Sequence, residues 1–206
     1  MDVSVVVPFY GDDKWRDLAV ERAAASALKQ TDSVTVIGGR DLADARNNGL
    51  RLTSTERVIF LDADDELEPG YIDAMGDGTA DLRVPRVRYV TERRSPKPIM
   101  PRVAGLQHQH HDCTGDCLAY GNWIVIGCCA PTQMLRDVGG FRDFIWSEDW
   151  DLWVRCWQAG ATIETIETAV YRAHVRPDSR NRAPERAVKH AQHQAIARAN
   201  GLPVPA

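Results

Sequence analysis

Three aspartates that directly follow an apolar run are the residues in this sequence best suited to chemistry. Asp62, Asp64 and Asp65 come after residues 58–61, whose composition and length predict a buried strand. Side chains alternate along an extended chain, so we expect Asp62 and Asp64 to face the same side. Two carboxylates are costly to bring together unless donors or a cation such as Mg²⁺ or Mn²⁺ offset their charge. The alternative is an acidic turn followed by a helix cap near Glu68, because Asp is favoured in turns and at caps.

A second acidic group, Glu148 and Asp149, lies later in the chain. It follows Ser147, a residue type preferred at helix N-caps, so both acids are predicted in the first turn of a helix. Acids in a first turn are stabilised by the helix dipole, and on local grounds this structural interpretation is sufficient. Trp150 and Trp153 continue a helical apolar stripe that indicates core packing. The position of this group after the first acidic group, in contrast, favours a functional site.

The elements that must position these residues alternate between strands and helices. Strands are predicted over 3–7, 34–37, 58–61, 122–126 and 162–170, and helices over 12–30, 41–50 and 183–200. Prolines predict strand fragments and loop over 85–107. This alternation is typical of βαβ units and a mostly parallel sheet. Ligands bind beyond the carboxyl ends of such strands, where Tyr10, Gly38 and Asp62 all fall.

The composition limits the expected size of the fold and the classes of partner that the protein could bind. A chain of 206 residues with 44% apolar content can bury one sizeable core, so we expect one domain, or two tightly joined halves. The formal net charge is −4, but the stretch from Arg83 to Arg102 is strongly basic. This basic patch would suit a phosphate-bearing donor or a polyanionic acceptor such as modified DNA. It lacks the interleaved aromatics of a groove for single-stranded nucleic acid.

The sequence also indicates a compartment. The first residues show no charged segment with a cleavage site, and no apolar stretch is long enough to span a bilayer, which predicts a cytoplasmic protein. An odd set of five cysteines fits reduced thiols better than a disulfide framework. The stretch from His108 to Cys117 is rich in histidine and cysteine, but its spacing matches no standard zinc site. A polar loop is favoured, and metal binding there stays open.

Taken in chain order, several short motifs resemble those of the family 2 glycosyltransferases, which have the GT-A fold. They lie at 3–10, 45–50, 60–65, 139–141 and 148–153, and at His174 with Ser179. The resemblance implies an α/β, GT-A (Rossmann-like) fold with a mixed, mostly parallel sheet flanked by helices. It implies one domain over 1–206, with a nucleotide-sugar-binding half (1–100), an acceptor and catalytic half (101–182), and a C-terminal helix and tail (183–206).

The resemblance also implies roles for the residues that would meet the nucleotide. Pro8, Phe9 and Tyr10 lie where the family lines its nucleoside pocket. Arg46 lies where a basic residue approaches the nucleotide, and Ala63 lies within the acidic motif that binds the donor. The implied donor is a nucleoside-diphosphate sugar.

Metal binding and catalysis are implied at the acidic groups. Asp62 and Asp64 resemble the pair that holds Mn²⁺ or Mg²⁺ and, through it, the donor diphosphate, while His174 matches a histidine that completes this site in several members. Asp149 is similar in position to the catalytic base, with Glu148 beside it. The implied reaction is an inverting, metal-dependent transfer of a sugar to an acceptor hydroxyl. The acceptor, whether glycan, protein or modified nucleic acid, is undetermined.

One departure from the family pattern leaves the nucleotide base open. Family members usually end the second strand with an acidic turn that reads the base, whereas residues 37–41 here read Ile-Gly-Gly-Arg-Asp. UDP, GDP and dTDP therefore all remain as carriers, and neither Arg40 nor Asp41 can be assigned to this role. A nucleotidyltransferase is the first alternative, although the loop after the first strand is acidic rather than glycine-rich and basic. A sugar-nucleotide-binding protein without turnover is the second, and the presence of both Asp64 and Asp149 speaks against it.

Overall fold

A computed structural model describes residues 1–91, 103–104, 116–176 and 186–204. The strands in these residues are β1 (Val3–Phe9), β2 (Val34–Gly38), β3 (Arg57–Phe60), β4 (Glu66–Leu67), β5 (Leu82–Thr91), β6 (Val103–Ala104), β7 (Cys129–Pro131) and β8 (Ile163–Val175). The α-helices are α1 (Asp13–Leu18), α2 (Ala25–Ala27), α3 (Leu42–Leu52), α4 (Tyr71–Gly76), α5 (Thr132–Asp137), α6 (Glu148–Gln158) and α7 (Arg186–Ala199). A π-helical segment (Ala19–Ala24) joins α1 to α2, and a 3₁₀ turn spans Asp116–Ala119.

The described strands form one mixed sheet in the order β2-β1-β3-β7-β5-β8-β4, with β6 paired to β5. Strand β1 runs parallel to both β2 and β3. Strand β7 is antiparallel to β3 and β5, and β5 then runs parallel to β8 from Leu82 opposite Ile163 to Thr91 opposite Val175. The longest registers are parallel, so the predicted mixed, mostly parallel α/β sheet is confirmed.

The core lies where helices cover the central strands. Val5, Val6 and Val7 of β1 are fully buried, as expected for a parallel strand covered on both faces. Helix α3 approaches β1 so closely that a Cβ on Gly49 would lie 2.2 Å from Val6 Cγ1. Only glycine fits at that contact, and this close packing fixes α3 and its side chains relative to the carboxyl end of β1.

The structure corrects two strand predictions. Residues 122–126 form no strand: Trp123 and Ile124 are buried within a loop, and the strand follows at β7. A short apolar run signals burial but does not by itself distinguish a strand from a buried loop. Pro85 does not interrupt β5, because the register with β8 shifts between Pro85 and Arg86 and this irregularity accommodates the missing N–H.

The prediction of reduced cysteines and the prediction for the stretch from His108 to Cys117 meet the described residues only in part. Cys128, Cys129 and Cys156 are buried free thiols, but Cys117 is disulfide-bonded, so the prediction of reduced cysteines is wrong at that position. The rest of the stretch from His108 to Cys117, up to residue 115, lies outside the described residues. Length and spacing alone could not exclude a single disulfide in an otherwise reduced set.

The arginines in the described part of the basic patch contact residues of this chain. Arg86 pairs with Glu167, Arg88 Nη1 lies 2.5 Å from Glu68 Oε1, and Arg83 Nη1 donates to the Met75 carbonyl at 2.7 Å. The remaining basic residues of the patch lie outside the described residues. Among the helices that the structure describes, none combines the length and apolar character needed to cross a membrane.

Candidate active site

A cavity of about 300 Å³ lies at the carboxyl ends of β1 and β3. These strands are parallel neighbours, so the loops that follow them meet at the same edge of the sheet. The residues that line the cavity are Pro8, Phe9, Tyr10, Gly11, Asp12, Trp15, Leu42, Asp62, Ala63 and Asp64. The fold thus brings together the residues predicted for the nucleoside pocket and the acidic pair predicted for the metal.

The acidic motif forms a turn rather than an extended segment. Strand β3 ends at Phe60, and the Asp65 N–H donates to the Asp62 carbonyl at 3.0 Å. The extended chain expected at Asp62 and Asp64 is therefore not found. Both nevertheless reach the cavity, because the turn directs them to the same edge of the sheet.

Asp65 contacts strand β8, whereas Asp62 and Asp64 line the cavity. Its Oδ2 accepts the Tyr171 hydroxyl at 2.8 Å, and its Oδ1 accepts the His174 N–H at 2.7 Å. Burial first, and then the charges of Asp64 and Asp62, raise the pKa of Asp65 well above its usual value. Asp65 therefore anchors the turn to β8, while Asp62 and Asp64 remain at the cavity.

The charge of the acidic turn is only partly balanced. Burial, followed by the charge of Asp62, raises the pKa of Asp64 to about 6. Arg176 and Arg22 act in the opposite direction, and Arg22 Nη1 also donates to the Asp64 carbonyl at 3.0 Å. A cation in the cavity would favour the ionised form of both carboxylates.

A buried arginine joins the two acidic groups. Arg46, which is 3% exposed, donates through Nη2 to Asp62 Oδ1 at 2.8 Å and through Nη1 to Glu148 Oε1 at 2.6 Å. Its guanidinium carbon lies 5.3 Å from the centre of the Phe141 ring. Arg46 is not in the cavity wall. It holds the first residue of α6 against the carboxyl end of β3.

The neighbouring residue of α3 strengthens this connection. Asn47 Nδ2 donates to the Phe141 carbonyl at 2.8 Å, and the Phe141 N–H donates to Asn47 Oδ1 at 2.9 Å. A Cβ on Gly140, at φ +66°, would lie 2.5 Å from Asn47 Oδ1, so this approach requires glycine. The motifs at 45–50 and 139–141 therefore form one contact that positions α6.

Helix α6 begins in an unusual conformation. Ser147 has φ 61°, the only positive φ of a non-glycine residue in the described part of the chain, and its side chain makes no capping hydrogen bond. The predicted capping role of Ser147 is wrong, since a capping side chain requires an extended backbone at that position. Glu148 and Asp149 do occupy the first turn as predicted.

Asp149 is a half-buried carboxylate in a polar setting. Its Oδ1 accepts the Trp150 N–H at 2.8 Å, and it also accepts a hydrogen bond from the Asn122 side chain. Burial and then the Glu148 charge raise the pKa of Asp149 to about 6, against the opposing effect of Arg46. A carboxylate with a pKa near the working pH is suited to accept a proton in a reaction.

His174 lies on β8 beside the acidic turn. Its Nε2 is 2.7 Å from Glu66 Oε2, and its backbone N–H holds Asp65. It is not in the cavity wall, so the geometry connects His174 to the carboxylate pair through the turn. Among the residues that the structure describes, no group of three or more His, Cys, Asp or Glu side chains is arranged to hold a metal.

Sequence reasoning missed several residues of the cavity wall. Asp12 and Trp15 line it from the start of α1, and Arg176 lies with its guanidinium carbon 5.6 Å from the Trp15 ring centre. Asp12 lies two positions after Tyr10, and this closeness in sequence could have indicated that it lines the same cavity. No local sequence pattern indicates that Arg176 packs on Trp15. Asp41 accepts the Asp44 N–H at 2.7 Å as the N-cap of α3.

Comparison with known proteins identifies the family. The sequence model described as glycosyl transferase family 2 matches residues 12–136, more than half of the chain. No curated protein sequence matches this chain.

Similar folds occur among solved structures of TarS from S. aureus. The structures of TarS residues 1–349, with UDP-GlcNAc and without it, each match with a TM-score of 0.62 at 17% identity over 95% of this chain. A longer TarS structure matches with a TM-score of 0.58 at the same 17% identity and 95% coverage. The match covers 65%, 64% and 39% of those three chains, so this chain spans less than two thirds of their length. The chain therefore belongs to glycosyl transferase family 2, a family of glycosyltransferases, and its fold is the GT-A fold.

Proposed function

We propose that this chain transfers a sugar from a nucleoside-diphosphate sugar to an acceptor hydroxyl, in one step that inverts the anomeric centre. The observation that carries the proposal is a single cavity lined by both the 8–10 segment and the pair Asp62 and Asp64. One buried arginine separates this pair from the helix that bears Asp149. A similar fold holds UDP-GlcNAc in TarS, which supports a nucleotide sugar as the donor class.

The cavity suits the donor in shape and chemistry. Phe9, Tyr10 and Trp15 offer aromatic surface for a base and ribose, and Asp12 offers an acceptor for their N–H or O–H groups. Because Asp41 caps α3, we do not assign base reading to it. UDP, GDP and dTDP remain the candidate carriers.

The acidic pair fits a divalent ion. Asp62 and Asp64 are hard oxygen ligands. Burial first, and then the charge of Asp62, raises the pKa of Asp64, and a cation would offset the repulsion between the two carboxylates. Mg²⁺ and Mn²⁺ commonly take few ligands from the protein and the rest from water and substrate phosphates. We therefore assign Asp62 and Asp64 as the residues that would hold Mn²⁺ or Mg²⁺, with His174 as a further candidate. When bound, the ion would stabilise negative charge on the leaving diphosphate.

Asp149 is assigned as the general base. It takes the proton of the acceptor hydroxyl while the acceptor oxygen forms a bond to the anomeric carbon. The bond from that carbon to the phosphate oxygen breaks, and the nucleoside diphosphate leaves with the electron pair. A positioned base contributes about 10²- to 10⁴-fold in rate. Glu148 supports this role by holding Arg46 and by raising the pKa of Asp149.

The proposed division of the chain into two functional halves and a C-terminal tail follows from these assignments. Residues 1–100 would bind the nucleotide sugar, 101–182 would supply the base and part of the acceptor site, and 183–206 would form the C-terminal helix and tail. Family membership supports glycosyl transfer and gives no support to the nucleotidyltransferase alternative. Release of a nucleoside diphosphate, rather than of pyrophosphate, would distinguish the two reactions.

Calorimetry with UDP, GDP and dTDP, each with and without Mn²⁺, tests the donor site. We expect metal-dependent binding of one nucleotide, lost in Asp64→Ala and kept in the matched control Asp73→Ala, an exposed acid outside the cavity. Asp149→Asn should keep this binding and lose sugar transfer. The proposal fails if no nucleotide binds in a metal-dependent manner, or if Asp64→Ala binds as the wild type does.

A further inference from the structure

The helical run over 13–27, which comprises α1, the π-helical segment and α2, contacts the acidic turn at the main chain of Asp64. The π-helical segment carries Arg22, whose Nη1 donates to the Asp64 carbonyl at 3.0 Å. We propose that Arg22 is a positioning residue for metal binding, which holds the main chain of Asp64 so that its carboxylate faces the cavity. The inference rests on the proposed function, because it assigns Arg22 a part in binding the same metal and nucleotide.

Arg22 is the first of three polar side chains, each four positions after the last, that contact the acidic turn and the residues after it. Positions four apart in a helix lie on nearly the same side, so the three can reach one segment of chain. Ser26 Oγ accepts the Leu67 N–H at 3.1 Å, and Gln30 Oε1 accepts the Ile72 N–H at 3.3 Å. All three contacts are made to the main chain, and the one from Arg22 reaches the acidic turn itself.

The helical run is a rigid base for these contacts. Ala19, Ala23 and Ala27 are fully buried, and the π-helical segment lies against β1 and β2. Side chains on packed helices hold a site more precisely than side chains on loops. π-Helical segments are rare and are often found at functional sites. Arg22 does not line the cavity, so it would act on a ligand through Asp64.

Each acid of the turn then has its own anchor. Arg46 donates to the side chain of Asp62, and β8 donates to the side chain of Asp65. Arg22 holds the main chain of Asp64, which lies between them in sequence. Because the carbonyl and the carboxylate belong to one residue, a displacement of this main chain would also displace the carboxylate that lines the cavity. Partners that orient metal ligands typically contribute about 10- to 100-fold in metal affinity.

Calorimetry with two matched ligands tests the role of Arg22. One ligand is the Mn²⁺ complex of the nucleotide that the wild type binds, and the other is the same nucleotide in EDTA. We expect Arg22→Gln, whose side chain is too short to reach the Asp64 carbonyl, to weaken binding of the Mn²⁺ complex about 10- to 100-fold. Binding of the nucleotide in EDTA should not change. Arg22→Lys retains a long cationic donor and should recover part of the loss, and Arg22→Met replaces Arg22→Gln if that variant does not fold.

The matched control is Arg16→Gln, which removes an exposed cation from the same helical run, where it pairs with Asp13 and Asp17. It should change the affinity for neither ligand. The role of Arg22 is refuted if Arg22→Gln binds the Mn²⁺ complex as the wild type does, or if it weakens both ligands equally. It is also refuted if Arg22→Lys loses as much affinity as Arg22→Gln. Absence of metal-dependent nucleotide binding in the wild type would instead refute the proposed function, so the two failures are distinguishable.

Discussion

Replacing Arg46 with Met tests whether the buried arginine holds the two acidic groups together. Arg46 and Glu148 have side chains that are 3% and 2% exposed, and their atoms are 2.6 Å apart. Met preserves much of the apolar stem while removing the charge. Asp62 is 35% exposed and can regain water, but the Glu148 carboxylate cannot without moving.

The expected cost follows from this difference in exposure. Removing one partner of a buried ion pair typically costs about 3–5 kcal/mol, because the other charge is left without compensation. The contact with Asp62 adds little, since partly exposed pairs contribute about 1 kcal/mol or less. We therefore expect Arg46→Met to lower the free energy of unfolding by about 3–5 kcal/mol. The matched control, Arg51→Met on the exposed side of α3, should change it by about 0.5 kcal/mol or less.

Urea unfolding followed by tryptophan fluorescence and circular dichroism provides the measurement. The double variant Arg46→Met with Glu148→Gln should recover part of the loss, because it removes the buried charge whose ion pair with Arg46 has been broken. The reasoning is refuted if Arg46→Met costs no more than Arg51→Met. It is also refuted if the double variant is less stable than Arg46→Met alone.

Three further changes test other parts of the structure. Gly49→Ala should destabilise the fold by about 1–3 kcal/mol in urea unfolding, because its Cβ would meet Val6, whereas Gly76→Ala, whose Cβ would lie an ordinary 3.9 Å from Met1 Cβ, should be neutral or stabilising in the same assay. Ser147→Gly should leave stability unchanged or raise it by about 1 kcal/mol, because glycine adopts a positive φ without strain, and a loss in urea unfolding would contradict this. The pKa of Asp149 is about 6 in the folded chain and is 3.8 for an ordinary Asp, so the unfolded state releases this proton first and stability falls as pH rises from about 4 to 6. Asp149→Asn should therefore match the wild type near pH 4 and exceed it in stability above pH 6, and an equal difference at both pH values would refute the assignment.

Much of the cavity at the carboxyl ends of β1 and β3 could be predicted from sequence because it depends on local signals. The apolar runs of β1 and β3 are recognisable, and residues at the carboxyl ends of parallel strands meet at one edge of the sheet. Pro8, Asp62 and Asp64 therefore fall together as expected. Their position at the same edge of the sheet follows from the strand order, which the alternating pattern of helices and strands already indicates.

Other features depend on contacts that no local pattern reveals. Asp64 and Asp65 are adjacent acids of the same type, yet Asp65 is buried against Tyr171 while Asp64 lines the cavity, and only the path of β8 decides this. Ser147 adopts a left-handed conformation at the start of α6, although serine at a helix cap prefers an extended one. Similarly, the partner of Arg46 at Glu148 is 102 positions away in the chain.

With Asp149 as the proposed base, the arrangement around Arg46 would couple stability to catalysis. The charges of Asp62, Glu148 and Asp149 all act on Arg46, and Arg46 in turn lowers the pKa of Asp149. This pKa is nevertheless raised to about 6, so burial and Glu148 outweigh the one arginine. Removing Arg46 should therefore raise the pKa of Asp149 further and shift the acidic limb of the pH–rate profile to higher pH. A substitution that affected stability alone would lower the amount of folded enzyme without moving that limb, so the profile of Arg46→Met separates the scaffold role of the arginine from its electrostatic role.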